Sequence, residues 1–248
     1  MPAKTIDEVI QQLDDIIDRA YRQKSRLGYF AALYRKVTLK VKEEIDGGFF
    51  EDGERMERLD VIFANRYLDA FEQYQSNEEP TRSWQLTFET LKHWWPIVLQ
   101  HLLLGMNAHI NLDLGIAAAK TSPGDAIIDL KEDFKKINEI LASLVDEVER
   151  KLARIWPILK LLDRIGGRTD EALINFSIER ARDHAWKVAQ DLAPLEQIDQ
   201  MSKIANLDNE IVMLGRTIRH PGLIAGTTTK VIRLGERGTI PQIIDILR

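Results

Sequence analysis

The chain has 248 residues, 44% of them apolar and 29% charged, so it is long and apolar enough to bury a sizeable core. Its 34 lysines and arginines against 39 aspartates and glutamates give a net charge of −5, which argues against a broad basic surface for nucleic acid. The absence of cysteine excludes disulfides, thiolate metal sites and a cysteine nucleophile, so any metal must use histidine, carboxylate and amide ligands.

The first predicted elements are helices, because glycine and proline are few and apolar residues recur with a period near 3.6. The first ten residues contain no apolar stretch of the signal-peptide kind, which predicts a cytoplasmic protein. Thr5 has the form of the N-cap of a capping box and begins the first helix. Further helices are expected over 28–45 and 54–75, and a fourth begins near Ser83 and must end or restart at Pro96.

Residues 97–119 are apolar on nearly all sides, which is typical of a central helix that is surrounded by others. The length is close to that of a membrane span. Six polar side chains within the stretch would be costly in hydrocarbon, however, and we expect no membrane span. These side chains are Gln100, His101, Asn107, His109, Asn111 and Asp113.

After the central helix, the sequence predicts a long amphipathic helix that ends near Trp156. The segment 221–238 contains four glycines and three consecutive threonines, which predicts an irregular extended segment packed over the bundle. The predicted fold class is therefore all-α, with a single helical domain over 1–248 built around the buried central helix. The remaining helices are expected over 170–192, 195–205 and 209–219 and from Ile240 onward.

Four residues of the central helix follow one another at steps of four, namely His101, Gly105, His109 and Asp113, and so form one slowly drifting stripe. His109 and Asp113 are one turn apart, close enough to bind one cation or to share a proton, whereas His101 lies about 12 Å from His109 along the axis. The stripe predicts His101, His109 and Asp113 as catalytic or metal-ligating residues. A buried ion pair is the structural alternative, with Gly105 at a close helix crossing instead of beside a ligand.

A second polar stripe lies on roughly the opposite side of the central helix and carries only amides, from Gln100, Asn107 and Asn111. Because these side chains have no charge, they are expected mainly to bond neighbouring helix ends or loops. Asn107 and Asn111 are also candidate substrate contacts.

Complementary polar groups must come from other helices. Asp60 is the best candidate for a catalytic carboxylate that reaches the central helix from the third one. Arg66 is expected to bind an anion or to pair with the central aspartate, and the pairing is favoured. Asn65 and Tyr34 are candidate substrate contacts, whereas Arg182, on a later helix, is expected to be structural.

One aspartate-rich motif is set aside. Asp14, Asp15 and Asp18 match the pattern by which all-helical prenyl-diphosphate enzymes hold magnesium. Asp15 and Asp18, however, point about 150° away from the apolar face of their helix, on a wheel of about 100° per residue. They are therefore expected to face solvent.

Three segments together resemble a bacterial family known only as a domain of unknown function: RLGYFAALYRKVT (26–38), RMERLDVIFANRYLDAF (55–71) and LQHLLLGMNAHINLDLGIAAA (99–119). The resemblance extends over most of the chain and implies no activity. A weaker resemblance, carried by His101 and His109, is to the helical zinc-dependent phospholipase C and single-strand nuclease superfamily, and it implies a helical metal site. Glycine stands at 105, where that pattern has an aspartate.

Two functions follow as hypotheses. The first is a metal-dependent enzyme, a hydrolase of an ester or phosphoester, with its pocket along the central helix and Zn²⁺, Fe or Mn²⁺ as the metal that suits these ligand types. The alternative is a non-catalytic helical module that binds an apolar small molecule or a partner protein, with the polar stripes as hydrogen-bond networks of the core. The first hypothesis requires a small-molecule substrate. Neither requires nucleic acid, and both leave the oligomeric state open.

Overall fold

The computed structural model describes residues 1–155 and 178–248, and within these ranges it contains helices and no strand. The predicted all-α class is therefore confirmed. Before the central helix lie α1 (Ile6–Gln23), α2 (Gly28–Asp46), α3 (Gly53–Gln75) and α4 (Arg82–Thr90). The central helix (Val98–Thr121) comprises α5 (Val98–Met106), a π-helical stretch (Asn107–Leu114) and α6 (Gly115–Thr121). After it come a 3₁₀ turn (Gly124–Leu130), α7 (Lys131–Ile155), α8 (Ile178–Leu192), α9 (Gln197–Arg219), α10 (Gly222–Gly235) and α11 (Ile240–Leu247).

Helix α1 begins where its sequence predicts. The Thr5 side chain accepts a hydrogen bond from the backbone N–H of Glu8 at 3.2 Å, which satisfies one of the free donors of the first turn. The helix ends at Lys24, whose φ of 51° is left-handed. Its apolar stripe is buried against the rest of the bundle and comprises Ile6, Val9, Leu13, Ile16, Ile17 and Ala20.

The central helix is the core of the bundle. By length and composition alone it could cross a membrane, but 89% of its most apolar 18-residue window is buried inside the protein. Helices α3 and α8 pack against α6, and α4 and α9 pack against α5 and the π-helical stretch. Burial on all sides explains why the sequence is apolar around the whole circumference of the helix.

The middle of the central helix departs from the regular α-helical geometry that the sequence predicts. Residues Asn107–Leu114 wind as a π-helix, which has more than the usual 3.6 residues per turn. A wheel of about 100° per residue therefore does not hold across this stretch. His109 and Asp113 both lie within it, and π-helical turns occur frequently at functional sites.

Two glycines allow the central helix to be approached closely. A Cβ atom added to Gly105 would lie 2.5 Å from Cδ2 of Phe30, and one added to Gly115 would lie 2.8 Å from the carbonyl oxygen of Ala185. Gly105 is thus the site of a close helix crossing, as its structural interpretation predicts. The absent side chain brings α2 directly onto the central helix.

Two of the sequence predictions near the C-terminus are wrong. The segment 221–238, predicted to be extended, contains α10, in which Thr229 bonds its hydroxyl back to the carbonyl of Gly226 and Ile232 is buried. Burial in the bundle outweighs the low helix propensity of glycine and threonine. Residues 195–205 and 209–219, predicted as separate helices, form the single helix α9. Of the helix predicted over 170–192, positions 170–177 lie outside the described residues.

Asp208 lies between the two predicted ranges, and its side chain bonds another helix. Its two carboxylate oxygens accept the backbone N–H groups of Arg82 at 2.7 Å and Ser83 at 3.0 Å, at the start of α4. A carboxylate bonded in this way does not compete for the backbone of its own helix, which is the usual reason why aspartate disfavours helix interiors.

The start of α3 is likewise bonded by an aspartate that is distant in the sequence. Asp133 of α7 is fully buried and accepts the backbone N–H groups of Glu51 at 2.7 Å and Asp52 at 3.0 Å. Arg55 donates to the same carboxylate at 3.0 Å. Burial alone would raise the pKa of Asp133, but these donors hold it below its ordinary value.

Candidate functional site

A cavity of about 250 Å³ lies between α2, α3, the central helix, α7 and the first two turns of α8. Its wall is almost entirely aliphatic and aromatic, with Leu59, Leu102 and Ile137 among the lining side chains. Within the described part of the chain, four lining side chains carry polar or ionisable groups: Tyr34, Asp60, His109 and Arg182. An apolar cavity with a few convergent polar groups is the usual form of a small-molecule site.

Next to the cavity wall, Asp113 is fully buried and completely paired. Its Oδ1 accepts from Nε of Arg66 at 2.8 Å, and its Oδ2 accepts from Nε1 of Trp84 at 2.8 Å and lies 3.3 Å from Nδ1 of His109. Burial alone would raise the pKa of this carboxyl, but the Arg66 guanidinium and the bonds from His109 and Trp84 hold it below its ordinary value. Asp113 is therefore an anion with three donors, and the favoured prediction for Arg66 is confirmed.

His109 is enclosed by aromatic rings. Phe63 stacks on it with ring centroids 3.6 Å apart and planes inclined by 9°, and Tyr34 meets it edge-on at 4.5 Å. Burial lowers the pKa of His109 despite the bond to Asp113, so the imidazole is neutral at neutral pH.

The pairing with Asp113 decides which nitrogen of His109 carries the proton. An ionised carboxylate only accepts hydrogen bonds, so Nδ1 of His109 must donate to it. The other nitrogen, Nε2, is then a lone-pair acceptor, and it has no hydrogen-bond partner among the described residues. A neutral imidazole oriented by a carboxylate in this way can take a proton from a bound molecule or accept a hydrogen bond from it.

Asp60 and Tyr34 add two further polar atoms that lack partners. Oδ2 of Asp60 and the hydroxyl of Tyr34 are both buried without a hydrogen bond in the described structure. Burial, reinforced by the charge of Glu57, raises the pKa of Asp60 to about 7. The prediction that Asp60 would reach the central helix from α3 is consistent with this geometry, because Asp60 and His109 line the same cavity.

Arg182 completes the polar groups of the wall, and the sequence did not single it out for this position. The side chain is 4% exposed, and its guanidinium bonds Oδ1 of Asn138 and the carbonyl oxygen of Phe134 and lies over the Phe134 ring at 4.6 Å. Burial lowers its pKa to about 9, which still leaves it charged at neutral pH. The available signal was the position of Arg182 on the same side of its amphipathic helix as Ala185 and Ala189.

The other predicted site residues lie away from the cavity. His101 packs beside Tyr29 with ring centroids 6.1 Å apart, and neither of its ring nitrogens has a partner among the described residues. Burial, together with the positive charges of Arg26 and Arg233, lowers its pKa to about 3. Asn65 bonds both the N–H and the carbonyl of Ala3 at 2.8 Å and so fixes the start of the chain against α3.

The amide stripe of the central helix holds α9. Gln100 donates to the carbonyl of Ile218 at 2.8 Å, near the C-terminal end of that helix, and Asn107 donates to the carbonyl of Ile211 at 3.0 Å. Asn111 donates to the Asn107 side chain at 3.0 Å. The predicted bonding to a neighbouring helix is thus observed, and neither asparagine lines the cavity.

No group of three side chains suited to holding a metal ion occurs among the described residues. Of the three predicted ligands, His109 and Asp113 are brought together, but both oxygens of Asp113 are occupied by donors and His101 contacts Tyr29 instead. In the aspartate-rich motif of α1, Asp14 pairs with Arg35 at 2.7 Å.

Comparison with known proteins identifies one family and no activity. The model of a family of unknown function, DUF5995, matches residues 6–221 of the chain. No curated protein and no solved structure matches it. The resemblance to the zinc-dependent phospholipase C superfamily thus finds no support among these comparisons, and function must be argued from the site itself.

Proposed function

Because the chain belongs to the DUF5995 family, whose function is unknown, we propose from the geometry alone that the protein binds an apolar small molecule in the cavity beside the central helix. This is the binding-module hypothesis of the sequence, now attached to a particular site. In this proposal the cavity is occupied by an organic ligand and not by a metal ion.

The cavity and its unpaired polar atoms are the observation on which the proposal rests. An engineered apolar cavity of about 150 Å³ takes up benzene, so a cavity of about 250 Å³ accommodates a larger apolar molecule. Buried polar atoms normally have hydrogen-bond partners, because an unpaired buried donor or acceptor costs about 1–3 kcal/mol. His109, Asp60 and Tyr34 each contribute such an atom, which a bound molecule with a polar group would satisfy.

A titration with Nile red, a neutral apolar dye, tests the proposal. We expect saturable fluorescence enhancement with the wild-type protein and its loss in Val37→Trp, which fills the cavity from α2. Val231→Trp is the matched control, because Val231 is 54% exposed on α10 and should retain dye binding. Absence of saturable binding to the wild type, or undiminished binding to a folded Val37→Trp protein, would contradict the proposal.

A second candidate function is acid–base catalysis on the bound molecule, and one observation favours it. His109 is oriented by Asp113 through Nδ1, and Nε2 has no partner in the described part of the chain, which is the arrangement of a general base. Hydrolysis of an ester is one reaction that such a base supports, by taking a proton from the attacking water.

A screen of nitrophenyl acyl esters and nitrophenyl phosphate with the wild type and His109→Gln tests this candidate. Catalysis by the imidazole requires that turnover be lost in the variant while Nile red binding is retained, because glutamine keeps the size of the side chain without the base. Equal turnover in both proteins would exclude a role for His109 in the reaction.

The metal-dependent form of this enzyme remains a prediction from sequence. It requires a cation bound to His109 with ligands beyond those that the described residues bring together. Elemental analysis of purified wild-type and His109→Ala proteins tests it directly. A stoichiometric transition metal in the wild type that is lost in the folded variant would support it, and no metal in either protein after addition of Zn²⁺, Fe²⁺ and Mn²⁺ would contradict it.

A further inference from the structure

We propose that the ligand of the cavity is an anionic amphiphile, a hydrocarbon carboxylate whose charged group binds the guanidinium of Arg182. This inference rests on the proposed function, because it specifies the chemistry of the molecule that occupies the same cavity. It assigns to Arg182 the recognition of the charge and to the aliphatic wall the recognition of the hydrocarbon.

The environment of Arg182 is unusual for a buried cation. The side chain is 4% exposed and lines the cavity, and its hydrogen bonds go to two neutral oxygens, those of the Asn138 amide and the Phe134 carbonyl. Among the described residues no carboxylate lies within ion-pair distance of it, and Asp183, which follows it in the chain, is exposed. The compensating negative charge is therefore missing from the described part of the protein.

Two other arginines of the bundle each form an ion pair with a buried aspartate. Arg66 donates to Asp113 at 2.8 Å, and Arg55 donates to Asp133 at 3.0 Å, and each of these carboxylates is fully buried. Burying a charge without its counter-ion is costly, which is why buried charges in proteins are normally paired. Arg182 has no such partner within residues 1–155 and 178–248, although it is more deeply buried than Arg66, whose side chain is 23% exposed.

The composition of the wall selects the kind of anion. A carboxylate has the planar geometry that matches a guanidinium and carries a single charge, which one arginine neutralises. A phosphate would bring up to two charges into a cavity whose described wall offers one cation among mostly apolar side chains. Aliphatic side chains such as Leu33, Leu99 and Leu141 line the cavity and suit a hydrocarbon chain.

The remaining ionisable groups of the wall permit an anion. His109 is neutral, Tyr34 is held protonated by burial, and Asp60 has a pKa raised to about 7, so it is largely uncharged below neutral pH. Arg182 is then the dominant charge among the described residues of the wall, and its sign favours a negative ligand.

Displacement of Nile red by three molecules with the same hydrocarbon chain tests the inference: laurate and laurylamine, each below its micelle concentration, and lauryl alcohol, below its solubility limit. We expect laurate to bind the wild type about tenfold to hundredfold more tightly than lauryl alcohol, the range that a charge-assisted hydrogen bond supplies. Laurylamine should bind more weakly than the alcohol. Equal displacement by laurate and lauryl alcohol would overturn the inference while leaving the apolar-ligand proposal intact, whereas a wild type that does not bind Nile red would defeat that proposal itself.

Variants at position 182 test whether Arg182 is the source of the preference for laurate. Arg182→Met keeps the length of the side chain without its charge and should bind laurate no better than lauryl alcohol, whereas Arg180→Met, at an exposed position of the same helix, should retain the wild-type preference. Should Arg182→Met not fold, Arg182→Lys keeps the charge and should retain a reduced preference for laurate. An unchanged preference in a folded Arg182→Met protein would overturn the assignment to Arg182.

Discussion

The cluster around Asp113 and the wall of the cavity both place charged groups inside the bundle, but they differ in how completely those groups are paired. Asp113 receives donors from α3, α4 and its own helix, and both of its oxygens are engaged. Asp60 and Arg182 are also buried, yet Oδ2 of Asp60 has no partner in the described structure and Arg182 bonds only neutral oxygens there.

This difference indicates a structural role for the buried groups that are fully paired and a binding role for those that are not. His109 belongs to both regions, since Nδ1 bonds Asp113 of the completed cluster and Nε2 has no partner among the residues that the structure describes. A group that is already satisfied adds stability to the fold alone. A group that is buried but unsatisfied costs stability until something binds it, and this cost is what a ligand removes.

Asp113→Ala is expected to cause the largest loss of stability among the variants that test this comparison. Removal of this carboxylate leaves Arg66, Trp84 and His109 without their acceptor, and breaking a buried ion pair by removing one partner costs about 3–5 kcal/mol. Urea unfolding followed by circular dichroism measures the loss, with exposed Asp129→Ala as the control. A loss below about 1 kcal/mol would mean that the cluster is not the structural centre that its geometry indicates.

Asp133→Ala extends the comparison to a second completed carboxylate. The variant frees the N–H groups of Glu51 and Asp52 and the guanidinium of Arg55, and we expect a loss of about 2–3 kcal/mol. Because the folded protein holds the pKa of Asp133 below its ordinary value of 3.8, this stability is present above that pH and disappears as the pH falls through the lowered pKa. Acid titration of both proteins should show the difference between them shrinking, and a constant difference would contradict the argument.

Gly105→Ala tests the packing that brings Phe30 to the cavity. The added methyl group would lie 2.5 Å from the Phe30 ring, and overpacking of this kind costs about 1–3 kcal/mol. Gly226→Ala is a matched control, because nothing lies within 4 Å of the added atom and alanine favours the interior of α10, so that protein should be as stable as the wild type or more stable. Thermal unfolding should therefore have a lower midpoint temperature in Gly105→Ala than in the wild type. In Gly226→Ala the midpoint should be unchanged or higher.

Asp60→Asn changes the side chain least, and it is expected to raise the free energy of unfolding, whereas Asp113→Ala and Asp133→Ala lower it. A carboxyl whose pKa is raised to about 7 keeps its proton in the folded protein while the unfolded chain has released it, so the stability of the wild type falls as pH rises from about 3.8 to about 7. Asparagine does not ionise, so we expect the variant to gain stability relative to the wild type as pH rises from about 4 to about 7, and to differ little from it below pH 4. Destabilisation by Asp60→Asn at every pH would place Asp60 with Asp113 as a completed structural group.

Several features of the fold were predictable because a single physical signal determines them. The capping threonine and apolar stripe of α1 were read directly from the sequence, as was the central helix from its apolar circumference. The Arg66–Asp113 pair was the favoured prediction on grounds of charge, since a buried ionised carboxylate is normally paired.

The unpredicted features depend on tertiary contacts that local sequence does not contain. Helix α10 forms despite its glycines and threonines because Ile232 and Thr229 are buried in the bundle. The π-helical winding of Asn107–Leu114 and the donor from Trp84 to Asp113 have no local signature. Arg182 looked structural because a sequence gives the charge of a buried residue but not the absence of its counter-ion.

The capping of α4 by Asp208 has a consequence for the order in which the chain can fold. Helix α4 has nine residues and no capping bond from the side chain of Thr81, and helices shorter than about 12–15 residues are marginal by themselves in water. Its first N–H groups find their acceptor 126 residues further along the chain. We therefore expect α4 to reach its full stability only when α9 docks against it, which couples two segments that are distant in the chain.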